Sequence, residues 1–141
     1  MLGSISLGKL VGKLKREFCN HIIDCEWLED FEDGAVMRMW AIDKELVMRE
    51  DNLRVVCGWF TWLCMDMSTG RFLTSRGLQG MTINSHIDFH SIYRTPEVLV
   101  KSKLVDSSKD NYTMLKEIYA GSKLVASGKF VFKVKERNDR Q

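Results

Sequence analysis

From Met81 to His90 the chain alternates, with Met81, Ile83, Ser85, Ile87 and Phe89 on one side and Thr82, Asn84, His86, Asp88 and His90 on the other. A period of two is the mark of a strand. Residues 98–105, 112–120 and 123–135 read the same way, separated by the polar run Asp106 to Asp110 and by Gly121-Ser122. The last of these points Leu124, Ala126, Gly128, Phe130, Phe132 and Val134 inward and Lys123, Lys129, Lys133 and Lys135 outward. Upstream, Ile22 to Phe31 and Ala35 to Ile42 flank Glu32-Asp33-Gly34, and Asp-Gly between two strand-like runs predicts a hairpin.

The run from Cys57 to Leu73 breaks this pattern, being apolar on almost every side and too long for an ordinary strand, and so predicts a buried helix. Leu7, Leu10, Leu14 and Phe18 recur at helical spacing and predict a second, N-terminal helix. Asp43 to Arg54 is charged and irregular and reads as a surface loop. Short links between consecutive strands imply antiparallel pairing. One apolar helix among such strands is hidden when the sheet curls around it. The expectation is therefore an α+β fold, with about six antiparallel strands wrapped around a long central helix and an N-terminal helix in front.

Length and composition narrow the picture. The 141 residues, 45% hydrophobic, suit a single domain with its core at about 22–135. A net charge of +2 gives no field that argues for nucleic acid as the main partner, so an anion site has to be local. Cys19, Cys25, Cys57 and Cys64 form no close pairs, which removes a zinc cluster or disulfide framework and fits a reducing compartment. No apolar run reaches the roughly 20 residues of a membrane span, so a soluble protein is expected. The cytoplasm is the expected location. The start of the chain, with Lys9, Lys13, Lys15 and Arg16 and no acid before Glu17, makes a mitochondrial destination the alternative.

Candidate chemistry is sparse. Asp66 sits inside the apolar helix among Trp59, Trp62, Met65 and Met67, and a carboxylate in such surroundings needs compensating partners. It is either a structural group tied to a hydroxyl or a functional one. Cys57 is a candidate nucleophile because helix starts favour thiolates, although no histidine is near it in sequence. His86, Asp88 and His90 share a strand face, but a spacing of two arises readily by chance, and no metal site is assigned.

The stretch GMTINSHIDFHSIYRTPEVLVKSKLVDSSKDNYTMLKEIYAGSKLVASGKFVF, within a match running from about Gly34 to Val134, resembles the second half of hot-dog fold acyl-CoA thioesterases. The phenylacetyl-CoA thioesterase-like and acyl-CoA thioesterase 13-like groups are the nearest in character. In that superfamily a His-Gly-Gly motif opens the central helix and an acid follows within it. Aligned back from Asp66, those three positions hold Cys57, Gly58 and Trp59, so the histidine and the second glycine are missing.

The resemblance implies a thioester hydrolase for an apolar acyl-CoA, with Asp66 as general base or nucleophile and Thr82 helping to hold water. The Gly58 amide would polarise the carbonyl from the helix start. Asn52 lies one residue from the family's loop asparagine. Asn52, Cys57, Trp59 and Trp62 are then the expected substrate contacts, the two tryptophans as walls of an acyl tunnel or as plain core. No cofactor is expected beyond the coenzyme A of the substrate. The lysines of the last strand would meet its phosphates or simply face solvent. A homodimer or a dimer of dimers is implied, with the site shared between subunits. The alternative is a non-catalytic hot-dog protein that binds acyl-CoA or serves as an assembly subunit.

Overall fold

The computed structural model describes residues 21–51 and 53–136. The expected N-terminal helix, Cys19 and Asn52 lie outside the described residues. Strands β1 (Ile23–Phe31) and β2 (Gly34–Ala41) form a hairpin, followed by a short helix α1 (Lys44–Val47) and the long helix α2 (Gly58–Ser75). Strands β3 (Leu78–Phe89), β4 (Glu97–Ser108), β5 (Asn111–Ala120) and β6 (Lys123–Glu136) complete the chain. All six strands belong to one antiparallel sheet in the order β1-β2-β4-β5-β6-β3.

Helix α2 lies in the hollow of this sheet. Two rows at i, i+4 spacing are buried: Phe60, Cys64, Ser68 and Phe72, and beside them Thr61, Met65, Thr69 and Leu73. They pack on Met37 and Met39 of β2, Val100 of β4, Met114 and Ile118 of β5, and Phe130 and Phe132 of β6 within one continuous core. The buried hydroxyls are satisfied at once, since Ser68 and Thr69 both donate to the Met65 carbonyl, at 2.9 and 3.2 Å. Such pairing lets polar residues sit in a helix that reads as apolar. The sheet of one chain covers only part of the helix, however. Trp59 remains 44% exposed at its start, and Gly70 and Thr74 are open to solvent.

Two sequence expectations need correction. The segment after β2 is not wholly irregular. Asp43 caps α1 by accepting the Glu45 N–H through Oδ1 at 3.1 Å, and Met48 bridges to Val56. The second correction concerns β3, whose alternation is interrupted. Thr82 lies opposite Phe132 and Asn84 opposite Val131, so Ile83 is an extra residue in a bulge. The bulge changes the phase of the strand. Thr82, Ser85, Ile87 and Phe89 stand opposite Phe132, Phe130, Gly128 and Ala126, which places Thr82 on the helix-facing side with the other three. The sequence pattern had set it on the opposite face.

Strand β3 also ends up away from its neighbour in sequence. Among the described residues it pairs only with β6, and residues 90–96 carry the chain back across the start of α2 to β4. Tyr93 pins that crossing, its hydroxyl 2.6 Å from Thr61 Oγ1 and its carbonyl accepting the Val56 N–H at 2.9 Å. Among the described residues the outer edge of β3 is unpaired, and it is apolar, with Met81 65% and Phe89 57% exposed.

Candidate active site

The row Trp62, Asp66, Gly70 and Leu73 runs along the flank of α2 that faces β3. Opposite it, Gly80, Met81 and Thr82 of β3, with Phe132 of β6, close a groove of about 370 Å³. Gly80 keeps the groove open, because a Cβ there would stand 2.9 Å from both Leu73 Cδ1 and the Lys133 carbonyl oxygen. The indole of Trp62 forms one wall, 6.0 Å from the Phe130 ring between centroids, and its Nε1–H donates to Ser85 Oγ at 3.3 Å.

Asp66 is half-buried in this groove. Thr82 Oγ1 donates to its Oδ1 at 2.5 Å. The bulge at Ile83 is what brings that hydroxyl to the carboxylate. The second oxygen, Oδ2, has no partner among the hydrogen bonds of the described residues and is available to a water or a ligand.

The start of α2 is a separate place. Cys57 is the N-cap, with no side-chain capping bond, and its N–H donates to the Val47 carbonyl at 2.8 Å. Gly58 is the first helical residue and is exposed, beside the ring of Phe89. Its amide belongs to the helix-start donors that have no acceptor within the helix. Eight residues separate Gly58 from Asp66, or about 12 Å along the axis. An oxyanion donor and a base acting on one carbonyl have to lie within about 6–7 Å of each other. Within one chain the structure therefore brings Asp66, Thr82 and Trp62 together and keeps Gly58, Cys57 and Trp59 apart from them.

His86 on the outer face of β3 has its Nε2 3.1 Å from Asp88 Oδ1, and His90, just past the end of the strand, has its Nε2 2.8 Å from Ser127 Oγ. Of the free thiols, Cys64 is fully buried, and burial pushes it far above the ordinary thiol range. No helix among the described residues is long and apolar enough to cross a membrane.

Between α2 and the sheet lies a polar group that sequence reasoning passed over. Lys116 on β5 is completely buried, its Nζ 3.0 Å from Ser68 Oγ and 2.6 Å from Ser102 Oγ. Burial lowers its pKa to about 7, against a smaller upward pull from the Asp66 charge. The signal was present in the strand period. Met114, Lys116 and Ile118 occupy one face, and the outer two are core residues.

The fold has counterparts among solved structures. The fold is the hot-dog fold. A hypothetical thioesterase from Streptococcus pneumoniae TIGR4, solved with coenzyme A, superposes with a TM-score of 0.69 at 18% identity, over 82% of this chain and 92% of that one. A Streptococcus mutans UA159 protein bound to acetyl CoA gives 0.69 at 15% identity, over 82% and 92% of the two chains. A thioesterase from Haemophilus influenzae gives 0.71 at 13% identity, covering 94% and 92%. No family model and no curated protein matches the chain. The likeness to hot-dog structures thus lies in the backbone far more than in the residues.

Proposed function

We propose that this hot-dog protein is an acyl-CoA thioesterase whose site is completed by a second copy of the chain. The observation that carries the reading is the Asp66 carboxylate, held by Thr82 at 2.5 Å inside an apolar-walled groove beside an unpaired strand edge. Two of the solved hot-dog structures of similar fold hold coenzyme A or acetyl CoA, which supports a thioester of that carrier as the substrate.

In the proposed reaction Asp66 takes a proton from water, and the resulting hydroxide attacks the thioester carbon. The carbonyl oxygen becomes an oxyanion that accepts a hydrogen bond from a Gly58 N–H at the positive end of an α2 helix. Collapse of the intermediate breaks the C–S bond. The thiolate of coenzyme A leaves and takes up the proton, and the acyl group departs as a carboxylic acid. The same carboxylate attacking directly would give an anhydride that water then opens, with the same products.

The 12 Å between Asp66 and Gly58 of one chain is what calls for the second copy. Strand β3 carries a marker for each half of the site, with Thr82 beside Asp66 near one end and Phe89 beside Gly58 at the other. Antiparallel pairing of two β3 edges sets the Thr82 end of one copy against the Phe89 end of the other. Each Asp66 then approaches the helix start of the neighbouring subunit. Covering Met81, Ile83 and Phe89 removes exposed apolar edge at the same time.

The missing second glycine, replaced by Trp59, supports the other reading, a subunit that binds acyl-CoA without cleaving it. A thiol-release assay over acyl-CoA chains of increasing length separates the two. Turnover is expected, together with a Cys57→Ala variant that keeps at least about half of it, because the backbone rather than the thiol polarises the carbonyl. Saturable binding without thiol release would select the binding subunit. Hydrolysis abolished by Cys57→Ala would replace the carboxylate mechanism with a thiolate one.

A further inference from the structure

Lys116 stands in a row that crosses the sheet under α2: Ala35 of β2, Ser102 of β4, Lys116 of β5, Gly128 of β6 and Ile87 of β3. Gly128 leaves space that Met65 of α2 occupies, since a Cβ there would lie 2.9 Å from Met65 Sδ. The ammonium or amine of Lys116 is sealed between that row and the helix. Among the described residues no carboxylate lies within hydrogen-bonding distance of it, and its hydrogen-bond partners are two hydroxyls. Of the charged groups on the elements around it, Asp66 is the one whose field reaches it; β2, β4, β6 and β3 present Ala35, Ser102, Gly128 and Ile87 in its row.

The hydroxyls have a direction. Ser68 spends its proton on the Met65 carbonyl and is left as an acceptor for Lys116. Ser102 has no other partner among the described residues, so its proton is free for a lone pair on Nζ. A neutral amine satisfies both hydroxyls, donating to Ser68 and accepting from Ser102. The chain of bonds then runs from β4 through β5 into the helical turn of Met65, next to Asp66. A charged ammonium has no lone pair and would leave the Ser102 proton without an acceptor in a dry core.

We propose that Lys116 is a positioning residue for Asp66: as a neutral amine between Ser102 and Ser68 it holds the turn of α2 that carries the carboxylate, and protonation releases that turn. The proposal rests on the hydrolase reading for what Asp66 does, but its structural half is independent of it. In the unfolded chain a lysine keeps its proton up to about pH 10.4, whereas the buried one loses it near pH 7. Between those values the unfolded state binds more protons, so stability rises with pH from about 7 to about 10 and is independent of this group below about 7, where both states carry the proton.

The test uses the full chain with lysine Cε carbon-13 labelled. One Cε signal is expected to titrate near pH 7 while the others titrate above about pH 9.5, and Lys116→Met should remove it. The Thr82 methyl signal should move with the same midpoint in the wild type and stay still in Lys116→Met. The kcat for acyl-CoA should fall about fivefold from pH 7 to pH 6 in the wild type, and less than about twofold in that variant. If Lys116→Met does not fold, Ser102→Ala serves instead. It should raise the midpoint, because the hydroxyl that donates to the amine, and that an ammonium leaves unpaired, is gone.

Every lysine titrating above about pH 9 would overturn the neutral amine. A Lys116 titration near 7 that leaves the Thr82 signal unmoved would overturn the positioning role. The two signals need no turnover. A chain that hydrolyses nothing therefore overturns the hydrolase reading alone, and the titration still decides the role of Lys116.

Discussion

Asp66→Asn is expected to lower kcat by about 100-fold or more, equivalent to about 2.7 kcal/mol of transition-state free energy, while leaving the fold intact. Asparagine matches aspartate in size, and its amide oxygen can still accept from Thr82 Oγ1, the contact observed at 2.5 Å. What it cannot do is take a proton from water. The loss should therefore fall on kcat, with KM changed little, since the groove walls at Trp62, Leu73 and Phe132 are untouched. Steady-state thiol release, with the urea midpoint as a check on folding, measures both. Undiminished hydrolysis by Asp66→Asn would remove the carboxylate from the mechanism.

Gly58→Pro is expected to cost about 100-fold to 1,000-fold in kcat, the range for losing one oxyanion donor. Proline is an unusual choice of probe, and the local backbone is what justifies it. Gly58 is the first residue of α2, where proline is well tolerated because the N–H has no partner inside the helix. Cys57 before it is extended, at φ −67° and ψ 142°, as the residue preceding a proline must be. A new Cβ would meet Phe89 at ordinary contact distance, 3.5 Å. The substitution thus deletes one backbone donor and little else. A circular dichroism spectrum like that of the wild type, combined with full activity, would show that the helix start is not the oxyanion site.

Much of the architecture was legible because each element obeys a simple period. The six strands and the long helix were located from alternation and from continuous apolarity, and Gly58 at the helix start came from the same run. Thr82 shows where that method ends. Ile83 continues the alternation in sequence as an ordinary apolar position, and only the pairing with β6 shows that it is the extra residue of a bulge. Without the bulge Thr82 would face away from Asp66. The pairing of β3 with β6 was equally hidden from the period, since short links suggest that neighbours in sequence pair, and residues 90–96 instead cross the start of α2. Lys116 was missed for a different reason. A lysine in a strand is ordinarily read as an outward residue, and its inward direction follows from Met114 and Ile118 rather than from its own chemistry.

The Asp66 and Gly58 variants together test the shared site through mixed dimers. In a dimer of one Asp66→Asn chain and one Gly58→Pro chain, one site loses both groups and the other keeps an intact Asp66 opposite an intact Gly58. Each parent alone has no sound site. Co-expression of the two full-length variants in equal amounts should therefore recover about one quarter of wild-type kcat per chain, from a background of about one hundredth or less in either parent. Activity of the mixture that remains at the level of the parents would contradict a site built from two copies of the chain.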